Sequence, residues 1–348
     1  MIQKLRVASL FSGCGGTDIG VEGGFDFLGV KFQRLPTEVV YANDIEVKAC
    51  DIFDLNFKVK ADRRDIRLVK EDEIPEHDIL TAGFPCQSFS ILAQNPPRLG
   101  YKDDRGKLFF EIVRILNFHK PKYFVCENVK GILSSNQGKT FPLILEEFKK
   151  CGYRVAYKLL NSKDFGVPQK RERVFIVGIR SDLPPYDFDF PETELILNKE
   201  TPLSLVLESN VENKYFFSDK AVKGLLRSKR KTNNLMNKGR DQDPGQPCNT
   251  VTAHLSKVTL NGTDPVFKVK GRYRRFTPRE VARIQSFPES FKLVGSDSSQ
   301  YKALGNAIPP VVFWQITRNI CNLNESIING TFKKKKRINQ HEQLALEF

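Results

Sequence analysis

The chain has 348 residues, 40% hydrophobic and 28% charged, with a formal net charge of +14. Hydrophobic cores stop growing at roughly 250–300 residues, so this length suits two domains better than one, and the composition excludes a wholly disordered chain or a fibrous repeat. No uncharged apolar run approaches the ~18–20 residues that cross a bilayer, the apolar stretch from Val7 to Phe11 is too short for a secretory signal, and seven scattered cysteines without a Cys-x-x-Cys pair indicate neither a disulfide framework nor a metal site. The expectation is a soluble, internal protein.

Strand and helix signals alternate through the first 180 residues. Residues 6–12, 38–42, 78–84, 123–126, 153–160 and 174–179 are short runs rich in Val, Ile, Phe or Tyr and read as strands, while 46–56, 107–118 and 139–151 carry helical spacing. The alternation predicts an open α/β sheet with helices on both faces, whose ligands sit at the carboxyl ends of the strands. From 181 to about 270 the periodicity weakens into Pro, Asn and Gly clusters, which predicts a smaller, irregular second domain. Regular signals resume at Thr277-Pro278-Arg279-Glu280, a capping box with Pro at the first helical position, and at Pro309-Pro310, which opens a helix expected to reach Asn322. The expected division is 1–180, 181–290, a segment at 291–328 that returns to the first domain, and a charged tail at 329–348.

The positive charge is concentrated. Residues 211–275 hold 15 Lys/Arg against 5 Asp/Glu, residues 333–337 are all basic, and the remainder of the chain is close to neutral. A near-neutral body with one basic segment and one basic tail fits a protein that meets a polyanion with a dedicated surface better than it fits an evenly solvated lysine-rich exterior.

Several segments at the predicted carboxyl edge carry chemistry. Phe11-Ser12-Gly13-Cys14-Gly15-Gly16 follows the first strand, where glycines let backbone approach a ligand; Asp18 replaces the third glycine of a dinucleotide fingerprint. Asn43-Asp44 ends the second strand, placing a carboxylate to accept from two ribose hydroxyls, and Asp65-Ile66 is placed to do the same for an adenine amino group. Together they describe a pocket for an adenosine-type ligand without a pyrophosphate clamp. Gly83-Phe84-Pro85-Cys86-Gln87-Ser88 puts a cysteine in a strand-to-loop turn, the position of a nucleophile, although a free cysteine is more often a small buried hydrophobe. Glu127-Asn128-Val129 brings an acid to the same edge, or else an exposed loop carboxylate. In Gln169-Lys170-Arg171-Glu172-Arg173 two arginines at alternate positions project to one side of an extended chain and suit a base oxygen or a phosphate, the plainer reading being a basic edge strand.

In this order, and joined by Asp104-Arg105-Gly106, 275–288 and 300–309, these segments resemble the full motif set of the DNA (cytosine-5) methyltransferases of the bacterial restriction-modification type. The resemblance covers almost the whole chain apart from the basic segment, which falls where that family keeps its variable target-recognition region. It implies a Rossmann-like S-adenosylmethionine-dependent methyltransferase sheet with a smaller irregular recognition domain. It implies Cys86, Glu127, Arg171 and Arg173 as catalytic residues, with Cys86 adding to carbon 6 of a flipped-out cytosine, Glu127 at ring nitrogen 3 and Arg173 at the carbonyl oxygen. Cofactor contacts are implied at Phe11, Gly13, Gly16, Asp44, Ile45, Asp65, Ile66, Pro85, Leu108, Asn306 and Ala307. Ile45 departs from the aromatic residue that many members place against adenine, so aliphatic contact replaces stacking there.

DNA contacts are implied at Gln87, Ser88, Arg240, Thr250, Val251, Arg272 and Arg275, with residues 98–105 further along the loop that carries Cys86. The resemblance also implies a monomer acting on duplex DNA in the bacterial cytoplasm, at the nucleoid, paired in function with a restriction endonuclease that it does not stably bind, and with no metal and no membrane. An RNA (tRNA) cytosine-5 methyltransferase and a catalytically silent DNA-binding protein on the same scaffold are the alternatives. The long basic segment argues against the first, and retention of Cys86, Glu127 and both arginines against the second.

Overall fold

The apolar runs of the first 180 residues pair into one sheet. The structure, a computed structural model, describes residues 4–84, 108–193, 199–223, 240–256 and 264–331. In chain order come β1 (Leu5–Leu10), α1 (Gly16–Glu22), the hairpin of β2 (Phe25–Phe27) and β3 (Val30–Phe32), β4 (Thr37–Asn43), α2 (Val47–Asn56), β5 (Ile79–Gly83), α3 (Leu108–His119), β6 (Tyr123–Val129), α4 (Thr140–Lys150), β7 (Tyr153–Asn161), β8 (Gln169–Lys170) and β9 (Glu172–Arg180). Each predicted strand and helix lies within three residues of its expected bounds. The sheet order is β4-β1-β5-β6-β9-β7. All neighbours run parallel except β9, which is antiparallel to both β6 and β7.

Alternation along the strands sends side chains to two helix-covered faces. Val7, Ile79, Val125 and Val177 meet Val21 of α1 and Val311, Val312 and Ile316 of the C-terminal helix in one buried cluster. Ala8, Leu80, Phe124 and Ile176 meet Phe109 and Ile112 of α3 and Ile144 and Phe148 of α4 in the other. Gly178 is required by this packing, because a Cβ there would stand 1.9 Å from the Phe124 ring.

The rest of the chain forms β10 (Asp241–Gln242), β11 (Cys248–Asn249), β12 (Val266–Val269), β13 (Arg272–Arg274), α5 (Pro278–Ile284), α6 (Asp297–Asn306) and α7 (Pro310–Asn329). The last helix runs seven residues beyond its expected end, to a left-handed Gly330. β10, β12 and β13 make a small sheet, and β11 pairs with β8. A third cluster joins Cys14, Ala49 and Ile52 of the first part of the chain to Leu203, Cys248, Val251 and Phe267 and to Val281, Ile284 and Leu304. The expected boundary at 180/181 divides a continuous core, because Phe188 is buried in the first sheet cluster with Tyr186 and Phe190 packed against it.

The capping box at α5 forms as expected: Thr277 Oγ1 accepts from Glu280 N at 3.1 Å and Glu280 Oε2 accepts from Thr277 N at 2.9 Å. Glu280 has a second, unforeseen role. It takes a two-pronged ion pair from Arg274 at 2.6 and 2.7 Å, with both side chains fully buried and the guanidinium over the Phe267 ring.

Candidate active site

The carboxyl ends of β1, β4, β5 and β6 open onto a cavity of about 620 Å³, within the range of small-molecule sites. Of the expected cofactor residues, Phe11, Gly13, Gly16, Asp44, Ile45, Asp65, Ile66, Leu108, Asn306 and Ala307 all line it. Pro85 lies outside the described residues, as do Cys86, Gln87, Ser88, residues 98–105 and the basic run 333–337.

The loop after β1 is held open at its mouth. Phe11 and Gly13 both take left-handed backbone (φ 55° and 56°), and Gly13 N donates to Asp44 Oδ2 at 2.7 Å while Glu46 N donates to Asp44 Oδ1 at 2.8 Å. These two bonds orient the Asp44 carboxylate; burial nevertheless pushes its pKa up. Only Gly13 has open space beside it. A Cβ at Gly15 would stand 2.2 Å from the Phe57 ring, and one at Gly16 would stand 2.4 Å from the Ile308 carbonyl. Packing against Phe57 and the C-terminal segment therefore requires glycine at positions 15 and 16 in its own right, while Gly16 also lines the cavity.

Asp65 is placed at the cavity but is already partnered. Arg67 donates to its two carboxylate oxygens through Nε at 3.0 Å and Nη2 at 2.5 Å, which holds the carboxyl below its usual range. Ile45 is 64% exposed at the cavity wall, an apolar surface with no aromatic ring.

Register assembles the acid and its arginine. Gly83 of β5 is opposite Glu127 of β6, and Val129 of β6 is opposite Arg173 of β9. Because β9 runs antiparallel, its amino end reaches the edge where the other strands finish, and Arg173 Nε lies 2.9 Å from Glu127 Oε1. Burial pushes the Glu127 carboxyl up, opposed by the charges of Arg173 and Arg171. Asn128, the neighbour of that acid, fixes the start of the cysteine loop: its Nδ2 donates to the Phe84 carbonyl at 3.0 Å. The sequence sets Asn128 beside Glu127 but carries no signal of this task.

Arg171 does not join that pair. Its buried guanidinium donates to three backbone carbonyls, Val251 at 3.2 Å, Gly305 at 3.2 Å and Ala307 at 3.0 Å. Burial lowers its pKa to about 9, which still leaves a cation at neutral pH. Both arginines line the cavity, but their partners differ: Arg173 pairs with Glu127, whereas the Arg171 guanidinium is taken up by backbone carbonyls.

The expected DNA contacts divide. Arg240 is 5% exposed, with Nε donating to the Asp264 carbonyl at 2.8 Å, and Val251 is fully buried in the third cluster; neither side chain is at the surface. Thr250 is half-buried, its hydroxyl donating to the Lys170 carbonyl at 2.8 Å. Arg275 is half-buried and donates to the Ser256 carbonyl at 3.2 Å. Arg272 is exposed and stacked 4.4 Å over the Phe216 ring. Thr252, Ala253 and His254 line the cavity opposite the sheet, a contribution the sequence does not signal.

The mostly parallel sheet, with this cavity at its carboxyl edge and a largely buried acid–arginine pair beside it, is the fold of the Rossmann-like S-adenosylmethionine-dependent methyltransferases. The chain belongs to the C-5 cytosine-specific DNA methylase family, whose model matches residues 5–322, and it is a DNA cytosine-5 methyltransferase. It is 38% identical over 314 residues to the Type II methyltransferase M1.ScrFI of Lactococcus lactis subsp. cremoris, covering 88% of this chain and 75% of that one. It is 36% identical over 321 residues to the Type II methyltransferase M.NgoBI of Neisseria gonorrhoeae, covering 91% and 93%. Among solved structures, the S. pombe Dnmt2 methyltransferase superposes with a TM-score of 0.72 at 22% identity, covering 92% of this chain and all of that one, which speaks to the fold alone. No helix among the described residues is long and apolar enough to cross a membrane, and no group of three or more His, Cys, Asp or Glu residues among them could hold a metal ion.

Proposed function

We propose that the chain methylates carbon 5 of a cytosine flipped out of a short, specific duplex sequence, with S-adenosylmethionine as methyl donor and Cys86 as covalent nucleophile. The observation that carries this reading is the largely buried Glu127–Arg173 pair, with Glu127 opposite Gly83, three residues before Cys86, at the rim of a cavity lined by Asp44, Ile45 and Asn306. The donor, when bound, supplies an electrophilic methyl group on a sulfonium. Carbon 5 of cytosine is a poor nucleophile, and addition of the Cys86 thiolate to carbon 6 converts the ring into an enamine reactive at carbon 5, so that covalent catalysis replaces one hard step by two easier ones.

Charge builds on the ring during that addition. Glu127, whose burial favours its protonated form, holds a proton at ring nitrogen 3, while Arg173 donates to the carbonyl oxygen. Loss of the carbon 5 proton to water and expulsion of the Cys86 thiolate restore the ring. Base flipping costs a few kcal/mol and brings the cytosine within reach.

The cavity suits the donor's nucleoside. Asp44, pre-oriented by Gly13 N–H and Glu46 N–H, would hold the ribose; Ile45, Ile66 and Leu108 would contact the adenine beside Asp65, with Phe11, Gly16, Asn306 and Ala307 closing the remaining wall. Residues 181–290 supply the recognition surface, with Arg272, Arg275 and Thr250 as its DNA contacts; Gln87 and Ser88, beside Cys86 in sequence, add contacts from the catalytic part of the chain. The reading extends to a monomeric cytoplasmic enzyme at the nucleoid, paired in function with a restriction endonuclease that it does not stably bind; the similarity to Type II methyltransferases supports the restriction-modification setting.

Methyl incorporation from labelled S-adenosylmethionine into duplex DNA and into tRNA tests the reading. Incorporation into duplex DNA alone, followed by bisulfite sequencing to locate the cytosine, is expected. Incorporation into tRNA alone transfers the chemistry to the RNA alternative.

A further inference from the structure

We propose that Arg171 is a positioning residue that couples DNA binding to cofactor binding, by fastening the recognition segment to the C-terminal wall of the cavity. This rests on the reading above, in which the segment carrying Thr250 lies toward DNA and Asn306 and Ala307 toward the cofactor.

One guanidinium bridges two chain segments. It reaches Val251 on the recognition side and Gly305 and Ala307 on the cofactor side, and among the described residues no carboxylate bonds it; the nearby Glu127 is paired with Arg173. Hydrogen bonds from a cation to carbonyls in a dry site are stronger than neutral ones, so the buried fork holds both segments in one geometry. The strap carrying Arg171 is itself anchored, with its N–H donating to Asn161 Oδ1 at 3.1 Å and its carbonyl accepting from Ser162 N at 3.0 Å.

Two glutamines repeat the pattern. Gln169 accepts from Val251 N at 2.9 Å and donates to Gln285 Oε1 at 2.8 Å, and Gln285 Nε2 donates to the Leu304 carbonyl at 2.7 Å. The two segments also touch directly: a Cβ at Gly305 would stand 2.3 Å from the Thr252 carbonyl carbon and 2.4 Å from Ala253 N. Thr252 and Ala253 line the same cavity as Asn306 and Ala307. A displacement of the recognition segment therefore moves the cavity wall, and DNA that pins one pins the other. By linkage the effect is reciprocal, and couplings of this kind are typically about 5–150-fold.

The test is a thermodynamic cycle. The dissociation constant of S-adenosylhomocysteine is measured by calorimetry with and without a duplex carrying the methylated site, for the full chain and for Arg171→Met and Arg171→Lys. The unaltered chain is expected to bind the cofactor analogue about 10-fold tighter with DNA. In both variants that ratio falls toward 1, whatever the separate affinities become, since a thioether donates nothing and the single nitrogen of an ammonium lacks the two-nitrogen fork that spans both segments. A ratio near 1 in the unaltered chain, or a retained ratio in a folded variant, overturns the proposal while leaving the methyltransferase reading intact. A chain that binds neither ligand sinks both. Should the variants not fold, hydrogen exchange on the unaltered chain decides: S-adenosylhomocysteine alone should slow the Cys248 and Val251 amides, and protection confined to Gly13 and Ala307 contradicts the coupling.

Discussion

On the sheet side of the cleft the site residues are placed by strand register, whereas on the recognition side the same residue types are placed by side-chain bonds to carbonyls. Glu127, Arg173 and Gly83 meet because β5, β6 and β9 pair in one register, with nothing else needed to align them. Across the cleft, Thr250 and Val251 are located by Lys170, Gln169 and Arg171, and β8 pairs with β11 over two residues only. The consequence for charge is direct. On the sheet side the largely buried Arg173 pairs with Glu127 at the rim of a cavity, where the proposed chemistry calls for it; on the recognition side buried Arg274 and Arg240 bond within the chain, and Arg272 is exposed. Chemical type alone does not separate these roles; burial and partner do.

The largest expected effect breaks the sheet side. Glu127→Gln keeps the shape but cannot deliver the proton in the same way, and kcat should fall by about 10²–10⁴-fold with the thermal midpoint little changed, measured by steady-state methyl transfer. A fall in stability without a fall in kcat would show that the pair with Arg173 is structural. On the recognition side, Glu280→Ala strands the Arg274 cation in the core and should cost about 3–5 kcal/mol in denaturant unfolding, as expected for breaking one buried pair.

A third effect concerns the face beneath the cofactor loop. Asp18 is fully buried and its pKa is raised by desolvation from 3.8 to about 7. Below about pH 4 the carboxyl is protonated folded and unfolded, and it contributes nothing to the pH dependence. As pH rises the unfolded chain releases its proton first, so stability falls until the folded group ionises near 7. Asp18→Asn removes this dependence. Its gain in thermal midpoint over the unaltered chain should grow between pH 4 and 7, and an offset constant with pH would refute the assignment. The smallest effect sharpens the division among cations: Arg272→Ala should leave stability unchanged and lower the salt slope of DNA affinity by about 0.9, while Arg240→Ala should lower stability and leave the slope alone.

Much of the sheet and its cofactor edge is legible in the amino-acid sequence. Runs such as Val-Phe-Ile-Val at 174–177 are buried on both faces and have few alternatives to a central strand, and Thr277 to Glu280 specifies its own cap. What the sequence conceals depends on pairing. Spacing puts Arg171 and Arg173 on one side of a strand, yet only the reversed direction of β9 brings Glu127 to one and three distant carbonyls to the other. Arg240 and Val251 are misplaced at DNA by sequence alone because the recognition segment has no periodicity from which to read burial. That packing also demands glycine at 15 and 16 is hidden in the sequence, because the Phe57 ring and the Ile308 carbonyl they meet are distant in the chain. Ten of the expected cofactor positions line the cavity, since they follow the ends of parallel strands or return to them from α6.

Covalent attack by Cys86 is the central claim, and a suicide substrate tests it most directly. With 5-fluorocytosine at the target position of a duplex and S-adenosylmethionine present, the fluorine cannot leave carbon 5 as a proton does, and the enzyme should be trapped on DNA in a complex that survives denaturation. Cys86→Ala should form none. An adduct that persists in that variant, or a fully active chain that is never trapped, would contradict the account.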